Sequence, residues 1–144
     1  MIQSAAWLPL ALLAAVFAAL TAILAKIGLE GIDADYATLL RTLFISVVLA
    51  VFVTVTGKWE NPALLPRRAV VFLLLSALAT GASWVFYFRA LKVGDASRVA
   101  PIDKLSVVLV AVLGVSVLGE RLSLRDWAGI AMIAGGALLL AIKR

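Results

Sequence analysis

Five apolar stretches, each about long enough to cross a lipid bilayer, occupy most of this chain: residues 5–25, 37–55, 69–91, 100–118 and 127–142. A hydrocarbon core about 30 Å thick takes roughly 20 helical residues at 1.5 Å each. Backbone polar groups have no water to bond in lipid, so a spanning segment of this kind must be helical. The expected fold class is therefore all-α: a polytopic membrane protein, a bundle of five transmembrane helices. The connections are short and hold nearly all the charge, which leaves no room for a soluble domain. We expect one membrane domain over residues 1–144.

Composition supports the same conclusion. The chain is 65% hydrophobic and 15% charged, against roughly 45–50% and 25% for a soluble globular domain. So few polar residues could not cover a soluble surface. The net charge of +5 is not read as nucleic-acid binding, because the basic residues are scattered at helix ends, where Lys and Arg anchor to headgroups. There is no Cys and no His. That removes disulfides, thiolate chemistry, imidazole relays and most transition-metal sites. The segment Met1, Ile2, Gln3 and Ser4 lacks the basic n-region of a secretory signal, and the apolar run behind it is long for an h-region. We read that run as a retained first helix, although its Ala-rich centre also has the small residues of a cleavage site.

Local signals divide the chain further. Ala11, Ala14, Ala15, Ala18, Ala19 and Ala22 give small-xxx-small spacings, which predict tight packing of the first helix on its neighbours. Gly28 and Gly31 break the chain before the second helix, with Asp35 as its expected cap. Arg41 falls in that helix's second turn. Pro62 and Pro66 suit a surface loop. Pro101 suits the first turn of the fourth helix, with Asp103 in the same turn at the positive helix end.

Charge placement bears on orientation. Lys58, Arg67, Arg68, Arg121 and Arg125 share one side of the membrane. Lys26, Arg41, Arg89, Lys92, Arg98, Lys104, Lys143 and Arg144 share the other. Four of the latter (Lys26, Arg41, Arg89 and Lys104) lie within or against helices, and without them the sides nearly balance. Two readings fit that balance: insertion in both orientations, or one orientation that so coarse a count does not reveal. Every carboxylate lies outside the middle of a span, and the first span has none. A pump that exchanges protons for a lipophilic cation on a buried acid is therefore disfavoured. Catalytic motifs are absent: there is no nucleophile with a base, no phosphate loop and no metal-ligand cluster. No cofactor and no enzymatic activity are expected.

Residues 84–106, from Trp84 through Tyr87, Arg89, Gly94, Asp95, Pro101 and Lys104 to Ser106, resemble the EamA family of the drug/metabolite transporter superfamily. So do Leu118-Gly119-Glu120-Arg121 and the following helix with Gly129, Gly135 and Gly136. The segment from Lys26 to Glu30 after the first helix, and Arg41, also fit. The resemblance spans nearly the whole chain. Longer members are similar to two such units fused in opposite orientation; this chain is similar to the single-unit, five-helix branch. The resemblance implies a secondary transporter in the cytoplasmic membrane of a prokaryote, moving a small polar or amphipathic metabolite, as an exporter. It further implies a cavity lined by the first four helices and formed between two units. An antiparallel homodimer, joined mainly through the third and fourth spans, would supply it. The expected partners are membrane lipids, the solute and a second copy.

Arg41, Ser83, Trp84, Tyr87, Arg89, Asp103 and Lys104 are the polar or amphipathic groups able to face such a cavity. Each has a plainer reading. Trp84 and Tyr87, three apart on one helix face, suit an interfacial aromatic belt. Arg41 suits an anchor or an ion pair with Asp33 or Asp35. Asp103 suits a helix start, and Glu120 the turn that ends the fourth helix. A non-transporting membrane subunit that positions a partner is the alternative function, and an integral-membrane enzyme comes third.

Overall fold

The computed structural model describes residues 6–142, and the described residues form helices with no strands. Ala5 at the first span's expected start, the Met1–Ser4 segment, and Lys143 and Arg144 of the charge count lie outside them. Among the described residues, five helical segments are long and apolar enough to span a membrane: Trp7–Gly28, Ala34–Val55, Arg67–Val93, Ala96–Val117 and Leu124–Ala141. Two compact units are distinguished, Ile27–Lys92 and the described residues on either side of it.

Helix α1 (Trp7–Gly28) carries Pro9 in its first turn, where a missing N–H breaks no helical bond. It stops at a turn closed by Gly31, whose φ of +73° suits a residue without a Cβ. The tight packing expected of its alanine stripe is confined to Ala22, which is buried; Ala11, Ala14, Ala15, Ala18 and Ala19 are exposed. The chain thus covers α1 only near its C-terminal end, where Lys26 Nζ donates to the Gly94 carbonyl at 3.0 Å.

Helix α2 (Ala34–Val55) is capped by Asp33, not Asp35. The Asp33 carboxylate accepts from the backbone N–H groups of Asp35 and Tyr36 at 2.9 and 3.1 Å, satisfying two of the open donors at the helix start. The helix therefore begins three residues before the expected 37, and Arg41 is its eighth residue, in the third turn and not the second. Thr38, Thr42 and Ser46 each donate to the carbonyl four residues back, at 2.7–2.9 Å. Such back-bonding satisfies hydroxyls where water is absent.

A short 3-10 turn, Pro62–Leu64, precedes helix α3 (Arg67–Val93). The fourth span is broken. Helix α4 (Ala96–Asp103) starts four residues before the expected position, so Pro101 is its sixth residue and not in its first turn. Asp103 closes α4 at its C-terminal end, which corrects its assignment to a positive helix start. Pro101 has no N–H to bond the Ser97 carbonyl. Beyond it the chain tightens to i→i−3 bonds, from Lys104 N–H to Pro101 O and from Leu105 N–H to Ile102 O, before helix α5 (Ser106–Val117) resumes.

Helix α5 ends on Gly119 at φ +71°, with the Glu120 N–H reaching back to the Gly114 carbonyl at 3.0 Å. Gly119 thus stands just past the helix, where a left-handed residue turns the chain back on the last carbonyls. Helix α6 (Leu124–Ala141) opens with a reciprocal Ser123–Asp126 capping box and packs on α4 and α5. Ala111, Gly114 and Ala137 are the buried positions of α5 and α6. At Gly114 the space left by the missing Cβ is taken by the Glu120 carboxylate.

Candidate functional site

Asp35, Arg89 and Lys92 of the Ile27–Lys92 unit meet where the start of α2 adjoins the end of α3. Arg89 Nε and Nη2 donate to the two Asp35 carboxylate oxygens at 2.8 and 2.6 Å, a bidentate fork that fixes direction as well as distance. Lys92 Nζ donates to the carbonyls of Leu29 and Ile32 at 2.7 and 2.6 Å. It thereby ties the α1–α2 connection to the end of α3 and places a cation where helix-end carbonyls are open. Both pairings run backward along α3 as α2 runs forward, so the two helices are antiparallel.

Arg41 lies deeper. Its guanidinium carbon sits 4.5 Å from the Trp84 ring centroid and 5.4 Å from that of Phe88, within cation–π range. Asp35, one of its expected ion-pair partners, is taken by Arg89, and Asp33 caps the helix. The side-chain hydrogen bonds that join α2 and its preceding turn to α3 come from Arg89 and Lys92, and Arg41 contributes none. Phe88 is 3% exposed and Leu91 fully buried. Trp84, Phe88 and Leu91, at i, i+4 and i+7, are therefore the face of α3 turned inward. Tyr87 packs beside Phe88 with ring centroids 6.4 Å apart and is within electrostatic reach of Arg41. On α2, Thr38 is buried and Thr42 half-buried beside Arg41.

A desolvated cation–π contact is worth about 2 kcal/mol, which offsets the cost of holding a guanidinium within a span. The rings engage its charge face-on and leave the donor edge to an acceptor.

The sequence-predicted site residues separate accordingly. Arg41, Trp84 and Tyr87 come together. Arg89 belongs to the latch with Asp35. Ser83 is exposed on the Tyr87 stripe of α3. Asp103 and Lys104 belong to the other unit, at the break between α4 and α5, where they pair with each other at 3.3 Å. Phe88 was not singled out as a site residue. Its signal was the i+4 spacing from Trp84, as strong a helical neighbour as the i+3 spacing to Tyr87. Glu120 is a second unexpected placement. Its carboxylate folds back over Gly114, where a Cβ would meet Oε2 at 2.6 Å.

Comparison with known proteins supplies the family. The chain belongs to the EamA-like transporter family, whose pattern matches residues 5–142. It is 58% identical over 140 residues, 97% of this chain and 99% of the relative, to a Sinorhizobium sp protein named "Uncharacterized transporter in cobO 3'region". It is 27% identical over 87 residues, 60% of this chain and 77% of the relative, to a Proteus mirabilis (strain HI4320) protein. That protein is named "Probable 4-amino-4-deoxy-L-arabinose-phosphoundecaprenol flippase subunit ArnE". No solved structure matches.

Proposed function

We propose that this chain is a secondary transporter that exports a small polar or amphipathic metabolite across the cytoplasmic membrane of a prokaryote, without catalytic chemistry of its own. The carrying observation is Arg41: a cation held inside a span, on an aromatic platform, in a member of a transporter family. An ionisable group at such a depth is a functional group by default.

The working form is an antiparallel homodimer in which residues 1–144 act as one unit. Apolar side chains are exposed along all five spans, which suits lipid contact over part of the surface and a second copy over the rest. The near balance of basic residues permits insertion both ways, and inverted pairs are how such carriers alternate access. A second reading is a membrane subunit that positions a different protein. It is favoured by the word "subunit" in the name of the Proteus relative. Purified protein in vesicles loaded with a broad metabolite mixture, with efflux read by mass spectrometry, tests the first reading. Flux of a defined solute supports it. Protein that is folded, moves nothing and is recovered with one stoichiometric foreign partner supports the second.

A further inference from the structure

We infer that Arg41, held on Trp84 and Phe88, is the group that recognises a carboxylate or phosphate oxyanion on the transported solute; this rests on the transporter reading above. The depth of the guanidinium comes first. A snorkelling Arg directs its head to the nearest interface, which here is the helix ends marked by Asp35 and Arg89. At 1.5 Å per residue, Arg41 lies about 9 Å inward of Asp35 along α2, and Trp84 about 7.5 Å inward of Arg89 along α3. The guanidinium is closer to Trp84 than to Phe88. It has therefore stayed at the inner level and not travelled out to the latch.

The neighbouring cations are already engaged. Arg89 is spent on Asp35, and Lys92 on the carbonyls of Leu29 and Ile32. Within this unit and among the described residues, Arg41 keeps its N–H donors unspent beside them. Cation–π contact engages charge without consuming a donor. What remains is a planar fork, the geometry that matches two oxygens of a carboxylate or phosphate. A solute cation would meet repulsion at this point. The rings of Trp84, Tyr87 and Phe88 offer contact to an apolar body attached to the anionic head.

The test is Trp84 fluorescence of full-length protein in phosphatidylcholine vesicles, with a Trp84→Phe variant to subtract the other tryptophans. Probes are benzoate, phenyl phosphate, inorganic phosphate and benzylammonium. Expected is a saturable change with the aromatic anions, binding at least tenfold weaker in Arg41→Gln, and no change with benzylammonium. Repeating the titration in vesicles containing phosphatidylglycerol separates the sources. A signal already saturated there assigns the oxyanion to a lipid headgroup; an unchanged titration assigns it to a soluble solute. Benzylammonium binding as well as benzoate, no probe binding at all, or equal binding by Arg41→Gln would each overturn the inference. The benzoate–benzylammonium comparison uses the unmodified protein, so it stands even where the variant does not fold. Anion binding at Arg41 without flux of any solute would keep Arg41 as an oxyanion site and remove the transporter reading. Flux unaltered in Arg41→Gln would do the reverse.

Discussion

Replacing Gly114 by Ala gives a result that depends on Glu120. A Cβ at position 114 would lie 2.6 Å from Glu120 Oε2, about 0.8 Å short of an ordinary contact. The carboxylate is the far end of a flexible side chain, so it can move by torsion, at about 0.5–1.5 kcal/mol for an off-rotamer angle. Against this, Ala in a helix interior is more favourable than Gly by about 0.8–1.0 kcal/mol. The two effects nearly cancel, so Gly114→Ala alone should change stability by less than about 0.5 kcal/mol. In a Glu120→Ala background the obstruction is gone while the Glu120 N–H to Gly114 carbonyl bond at 3.0 Å is kept. There Gly114→Ala should stabilise by about 0.9 kcal/mol. The double-mutant cycle should thus give a coupling near 1 kcal/mol. The assay is reversible unfolding by SDS in mixed micelles, followed by far-ultraviolet circular dichroism. Equal stabilisation in both backgrounds would refute the placement of the Glu120 carboxylate against α5.

Three further outcomes are expected, two from the contacts described and one from the proposed assembly. Asp33→Ala should cost about 1 kcal/mol in the same assay, and Asp33→Asn much less, because an amide oxygen still caps α2; an equal loss for Asp35→Ala and Asp33→Ala would contradict the capping assignment. Lys92→Met removes two charge-assisted bonds to carbonyls and should speed amide exchange in residues 29–33 by about tenfold or more, read by exchange mass spectrometry; unchanged exchange would show that Lys92 does not hold the connection. A topology reporter fused after Arg144 should give signal on both sides of the membrane, as an antiparallel homodimer requires, whereas signal on one side with parallel crosslinks would exclude that assembly.

The spans were legible because apolar runs of bilayer length admit one backbone solution in lipid. Their ends were less so. Asp33 and Asp35 are both acceptable caps, and the choice follows from where the turn at Gly31 releases the chain. Pro101 reads as a helix start, since that is where proline costs least; the helix instead begins at Ala96 and accepts the proline in its interior, with i→i−3 bonds beyond it. The candidate site was legible in its residue types and not in its grouping. Arg89 and Arg41 lie at comparable helix-end positions in the sequence, yet one is latched to Asp35 and the other stacked on Trp84 and Phe88. Pattern along a single helix does not decide that, because it depends on which residues of α2 and α3 stand at the same depth. Phe88 was overlooked for the same reason, as Trp84 has helical neighbours at both i+3 and i+4 and only the packed partner selects between them.

Carriage of a solute through a site built on Arg41 can be read by counterflow. Vesicles containing the protein are loaded with an unlabelled solute found in the efflux screen, diluted, and given the same solute as a labelled trace outside. A carrier with a single alternating site predicts transient accumulation of label above its equilibrium level, reduced about tenfold in Arg41→Gln, the scale of one lost charge-assisted hydrogen bond. Label that only equilibrates, at the rate of protein-free vesicles, would contradict the account.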